Sequence, residues 1–200
     1  MTQADDATVR EMTAADIAAV VQLQLAFLDG SIVTQLGTRF LTAFHQAALS
    51  HPSSRAFVAA EPDGVLAGFA LASLDVAGFN GHVKRRVFAA LVQALLTPRG
   101  LKLIWRFAQL LIESEPEPYM PAELLLLTVD PRYRRRGIGQ KLLAAIEQAF
   151  ARDGVSRYRV AVRSQLAVAR AFYLATGFEP EQELLVLGQP MAYLTRRVAR

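Results

Sequence analysis

The chain has 200 residues, with 22 Lys and Arg against 18 Asp and Glu, a net charge of +4 and no cysteine. The length suits one domain that buries enough surface to fold without covalent staples. The missing cysteines exclude disulfides, thiolate metal sites and a cysteine acyl-enzyme, while the mildly basic balance, pI about 9.8, permits an anionic ligand without demanding one.

The start, Met1-Thr-Gln-Ala-Asp-Asp6, is polar and acidic, unlike a secretory signal; with the absent cysteines it points to the cytoplasm. Residues 8–12 alternate as a first strand. Thr13, with Asp16 three residues on, predicts a capped helix start. Ile17, Val20, Val21, Leu23, Leu25 and Leu28 carry that helix to near Gly30. Phe40, Leu41, Phe44, Ala47 and Ala48 stripe a second helix over 38–49, ended by His51-Pro52. Residues 55–61 and 65–75 read as strands joined by the turn Pro62-Asp63-Gly64.

Two helices are expected next, over 83–96 and 101–112, broken by Thr97-Pro98-Arg99-Gly100; the second carries Trp105. Residues 114–121, with three prolines, read as an extended linker. A bilayer span needs about 20 apolar residues, and Pro98, Arg99 and Lys102 interrupt too soon. Three uses of these helices stay open: extra core packing, a wall for a large or greasy acceptor, and a homodimer or membrane-surface face. Beyond them, 158–163 reads as a strand, 166–175 as a helix, and 183–187 with 191–195 as a closing strand pair around Gly188-Gln-Pro190. His45, His51 and His82 are too scattered to argue a metal site.

Residues 123–151 carry the most chemistry. Leu124 to Leu127, then Thr128 and Val129, make a strand apolar on both faces. Asp130-Pro131 stops it, because proline cannot continue the ladder. Arg134, Arg135 and Arg136 follow, with Gly137 and Gly139, and then Leu142, Leu143, Ile146, Ala149 and Phe150 recur at helical spacing. A strand, a basic glycine loop and a helix make an anion site, since the first helical turn has free N–H groups and the positive end of the dipole. A P-loop fails, because Gln140 and Lys141-Leu142 follow the last glycine. A dinucleotide fingerprint fails, because Leu142 stands at its third glycine and no acidic residue follows at the right distance. Arg134-x-x-Gly137-x-Gly139 matches the third pattern, (Gln/Arg)-x-x-Gly-x-(Gly/Ala).

With Val129-x-Pro131 before the loop and Ala169-Arg-Ala-Phe172-Tyr173-Leu-Ala-Thr-Gly177-Phe178 after it, the chain resembles the GCN5-related N-acetyltransferase (GNAT) superfamily. The likeness is sharp over 123–178 and an outline before that. It implies an α/β (α+β) fold: a mixed, mostly antiparallel central sheet flanked by helices. It implies a single domain over 1–200, with a cofactor core at 122–178 and a helical insertion at about 77–120. It implies acetyl-CoA as cosubstrate and transfer to a primary amine of a small molecule or peptide; the scattered histidines argue no metal, and without interleaved aromatics or a second basic cluster no nucleic acid is expected as partner. Rival readings from other classes are a non-catalytic acyl-CoA sensor and a membrane-surface module.

The resemblance also assigns residues. Arg134, Arg135, Arg136, Gly137, Ile138, Gly139 and Gln140 would hold the diphosphate. A bulge would splay the cofactor strand from its parallel neighbour and free the N–H groups of Leu127 and Val129 for pantetheine and the thioester. Tyr173 would face the sulfur and protonate the departing thiolate; Glu123 stands where some members place their base, in the form of a carboxylate beside an apolar wall. Asp29, Asp75 and Glu113 stay as alternatives. One departure is Leu166, where the family often carries an asparagine, with Ser164 and Gln165 just upstream.

Overall fold

A computed structural model describes residues 7–28, 32–95, 120–186 and 188–198. The expected 101–112 helix with Trp105, most of the 114–121 linker, Asp29 and Glu113 lie outside the described residues. In chain order the elements are β1 (Thr8–Glu11), α1 (Ile17–Phe27), α2 (Ile32–Gln35), α3 (Gly37–Leu49), β2 (Ser54–Ala60), β3 (Leu66–Ser73) and α4 (Val76–Leu95). Then follow β4 (Glu123–Val129), α5 (Ile138–Arg152), β5 (Arg157–Arg163), α6 (Ala167–Ala175), β6 (Glu179–Val186) and β7 (Gln189–Arg197).

Among the described residues the strands form one seven-stranded sheet in the order β1-β2-β3-β4-β5-β7-β6. Neighbours are antiparallel except β4 and β5, which run parallel. The sheet is therefore mixed and mostly antiparallel, as the sequence leads one to expect. Successive side chains point to opposite faces, so each strand feeds two cores. On one face Leu142, Leu143, Ile146 and Phe150 of α5 and Tyr173 of α6 pack on Leu124, Val160 and Val162. On the other, Val20 and Val21 of α1, Phe40 and Leu41 of α3, and Phe79 of α4 pack on Val58, Phe69 and Leu71. Every residue of β3 is buried, as a central strand covered on both faces requires.

Two elements begin well ahead of their expected starts, and the short α2 was not expected. The α4 helix begins at Val76, not 83. Gly78, Asn80 and Gly81 are poor helix formers and mask its first turns in the sequence. The Asp75 carboxylate overrides them by accepting the Gly78 N–H at 3.1 Å. A side chain at Gly78 would strike that same carboxylate. The strand β6 begins at Glu179, ahead of the expected 183. Pro180 and the glutamates read as loop, yet β6 is an edge strand, where proline and charge are tolerated.

A buried polar pair ties α1 to α3: His45 Nε2 lies 2.7 Å from Gln24 Oε1. Phe44 and Phe69 present ring edges to the imidazole. Burial pushes His45 down to about 4 from 6.5. The folded protein thus keeps the ring neutral at a pH where the unfolded chain already binds a proton. The sign follows: stability contributed by the neutral ring is whole above about pH 6.5 and falls as pH drops toward 4. The expected loss between pH 7 and pH 5 is about 2 kcal/mol. Urea unfolding at the two pH values checks this, and His45→Gln should flatten the slope; an equal slope in both proteins would assign it to other groups.

Candidate active site

The site starts from an irregularity in β4. Opposite β3 the register runs Leu71↔Leu126 and then Ala72↔Leu124, so Leu125 is an extra, bulged residue. A bulge reverses the facing of everything beyond it. Leu124, Leu127 and Val129 accordingly lie against the α5/α6 core, while Leu125 and Leu126 lie against the other. Past the bulge β4 also loses its parallel partner. The β4–β5 ladder has only the rungs Glu123↔Arg159 and Leu124↔Val160, although the strands continue to Val129 and Arg163. A cleft opens between them.

Main-chain direction in the cleft follows from one bond. The Asp130 N–H donates to Ala67 O on β3 at 2.9 Å. Alternation along an antiparallel ladder then sends the N–H groups of Thr128 and Leu126 toward β3, and those of Leu127 and Val129 into the cleft. Arg134 Nε donates to Val129 O at 3.1 Å, in agreement with a Val129 peptide turned from β3.

The loop after β4 is wound tightly. Asp130 is buried, accepts the Arg132 N–H and pairs with the Arg132 guanidinium at 2.7 Å; that pairing holds its carboxyl below the usual range. Arg135 has φ 61 and Gly137 φ 75. Left-handed residues in a turn are the backbone geometry from which anion-binding concavities are built in general. At Arg135, which has a side chain, the conformation is strained, costing about 1–3 kcal/mol. The helix α5 starts at Ile138 with Gly137 at its N-cap, so no N-cap side chain bonds its first N–H groups.

The loop residues play unequal parts. Gly137 supplies backbone freedom; Gly139 supplies space, since a Cβ there would lie 3.3 Å from the Phe172 ring of α6. Ile138 is sunk in the core at 1% exposure, so only its main chain faces outward. Gln140 lines a cavity of about 250 Å³ with Leu143, Glu147, Thr176 and Arg196. Of the arginines, Arg134 is spent on Val129 O and Arg136 on Glu61, at 3.1 Å. Glu61, in the β2–β3 turn, is a partner that sequence reasoning missed; nothing in its own stretch signals the loop 75 residues away. Its other oxygen, Oε1, is buried without a partner among the described residues, an arrangement that costs about 1–3 kcal/mol.

Tyr173 comes from α6 on the α5 side of the sheet. Rings of Phe172 and Phe178 lie 5.3 and 5.2 Å away, and burial pushes the phenol further up, so it stays protonated at neutral pH. No hydrogen bond holds its hydroxyl among the described residues. Glu123 precedes Leu124 on β4 and therefore points to the opposite face. The apolar wall expected beside it is not its whole setting. Arg159, across the parallel rung, places Nε 2.7 Å from Glu123 Oε2, with both side chains buried. That guanidinium in turn lies over the Tyr193 ring at 4.9 Å. The pair fastens the two strands at the root of the cleft. Asp75 is occupied in starting α4. Leu166 is 41% exposed just before α6, and nearby Ser164 Oγ is buried without a partner.

Among the described residues no helix is long and apolar enough to cross a membrane, and no three His, Asp or Glu side chains gather as a metal site would require.

A model of the acetyltransferase (GNAT) family matches residues 26–178. Among solved structures, SsHAT superposes with a TM-score of 0.72 at 22% identity, covering 98% of this chain and 100% of its own. The ribosomal-protein-S18-alanine N-acetyltransferase of Escherichia coli gives 0.61 at 15% identity, covering 97% and 95%. The yncA protein of Salmonella typhimurium, solved with its cofactor acetyl-CoA, gives 0.58 at 16% identity, covering 97% and 95%. No curated protein sequence matches. A family match over most of the chain, on a sheet that splays where β4 and β5 run parallel, means that this protein belongs to the GNAT acetyltransferase family.

Proposed function

We propose that the protein transfers the acetyl group of acetyl-CoA to a primary amine by direct attack within a ternary complex. The observation that carries this reading is the β4–β5 cleft, with the Leu127 and Val129 N–H groups turned into it beside an uncapped helix start. Acetyl-CoA is threaded with its diphosphate on the main chain of 135–140 and its pantetheine along β4. The two β4 N–H groups are donors for pantetheine and for the thioester oxygen as it gains charge. The amine attacks the carbonyl carbon, a C–N bond forms, and the C–S bond breaks. Tyr173 gives its proton to the departing sulfur from the α5 face. The amine proton leaves on the other face, to a water held by Glu123, whose carboxylate is fixed by Arg159.

Acid and base on opposite sides of one sheet suit this chemistry, because the amine adds to the carbonyl carbon along one direction and the sulfur departs along another. The acceptor is a small-molecule or peptide amine. Calorimetry with CoA, followed by an amine panel read by thiol release, tests the reading. CoA binding with acceptor-dependent thiol release is expected; a folded protein that ignores CoA would end it.

A further inference from the structure

The strained residue of the glycine loop sits between two tethers. On one side Arg134 Nε is bonded to Val129 O at 3.1 Å. On the other, Arg136 Nη2 donates to Glu61 Oε2, also at 3.1 Å. Arg135 lies between them at φ 61. A residue with a side chain leaves that region unless its neighbours are held.

The Glu61 end of the tether is rigid. The β2–β3 turn is closed by the Glu61 N–H on Val65 O and the Gly64 N–H on Glu61 O. The Glu61 side chain is 11% exposed, against 35% for Arg136. Among the described residues its Oε1 is enclosed and unbonded, and the ion pair to Arg136 is the bond described for the carboxylate side chain. Arg136 also lies near the Tyr133 ring, at 5.6 Å, on the loop's own side. The guanidinium thus bridges loop and hairpin, and it is turned toward β2 and β3, not toward the β4–β5 cleft.

We propose that Glu61 is a positioning residue for diphosphate binding: through Arg136 it holds the 134–137 loop in the conformation whose N–H groups converge on the ligand. This rests on the acetyl-CoA reading. Arg136, so engaged, contributes to the ligand through the backbone that it fixes, and Arg135 is left as the loop arginine free of a described side-chain bond.

The test is a double-mutant cycle on Glu61→Gln and Arg136→Gln, read by calorimetry with CoA and with dephospho-CoA, and by NMR titration with pantetheine. Both CoA forms carry the diphosphate; pantetheine lacks it. Each single variant should weaken both diphosphate ligands by about 5- to 20-fold. The double variant should be no worse than either single one, and pantetheine affinity should not move. Glu61→Asp, which keeps the charge, should recover part of the loss. Unchanged CoA affinity in Glu61→Gln overturns the proposal, as does strict additivity, or an equal loss for pantetheine, which would mark a general structural role. If wild type binds no CoA, the acetyl-CoA reading itself fails and takes this one with it; a binding wild type with an unaffected variant sinks the Glu61 role alone.

Discussion

Tyr173→Phe is expected to cut turnover by about 10²–10⁴-fold, the usual worth of a positioned general acid, while CoA affinity stays within about twofold. The ring's setting supports so clean a separation. Tyr173 is enclosed by Phe172 and Phe178, and no hydrogen bond ties down its hydroxyl among the described residues. Removing one oxygen therefore leaves the packing in place and orphans no partner. Burial raises the phenol above its ordinary value, so wild type keeps the proton through the whole working range. Single-turnover thiol release with an acceptor from the panel reads the chemical step; calorimetry reads binding. Full turnover in the variant would move the sulfur's proton to water. A wild type that binds CoA and turns over no amine would favour a sensor instead.

Gly137→Val should weaken CoA by 10-fold or more, about 1.4 kcal/mol. The cause is backbone, not collision. At φ 75 and ψ 0 the residue is left-handed, and the nearest atom to an added Cβ is Gln140 Oε1, at 4.0 Å. A β-branched residue resists that conformation by about 1–2 kcal/mol. The peptide relaxes, and the N–H groups opening α5 lose their aim. Gly154 provides the control. It has the same φ of 75 with nothing within 4 Å, beyond the far end of α5. Gly154→Val should match the loss in thermal stability and leave CoA affinity alone. A folded Gly137→Val that binds CoA normally would remove the loop from the site.

The glycine loop was legible because its needs are local. Positive φ at residue 137, close helix packing at 139 and an open helix start each demand a residue type at a fixed spacing. The strand before it was legible because packing against a core on each face demands an unbroken apolar run. The start of α4 was hidden, since its glycines are outvoted by one carboxylate cap. The setting of Glu123 was hidden too. Its partner Arg159 stands 36 residues on, and only the parallel rung brings them together.

By itself, then, the sequence determined the order of the main elements, the glycine turn between β4 and α5 and the mixed sheet, because propensity, hydrophobic period and glycine geometry act over a few residues. Tertiary structure alone decided that Leu125 is the bulged residue, that Arg159 pairs with Glu123, and that Glu61 holds Arg136. Those facts depend on one bulged residue and on partners from distant strands, and long-range pairing leaves no mark within any one segment of the chain.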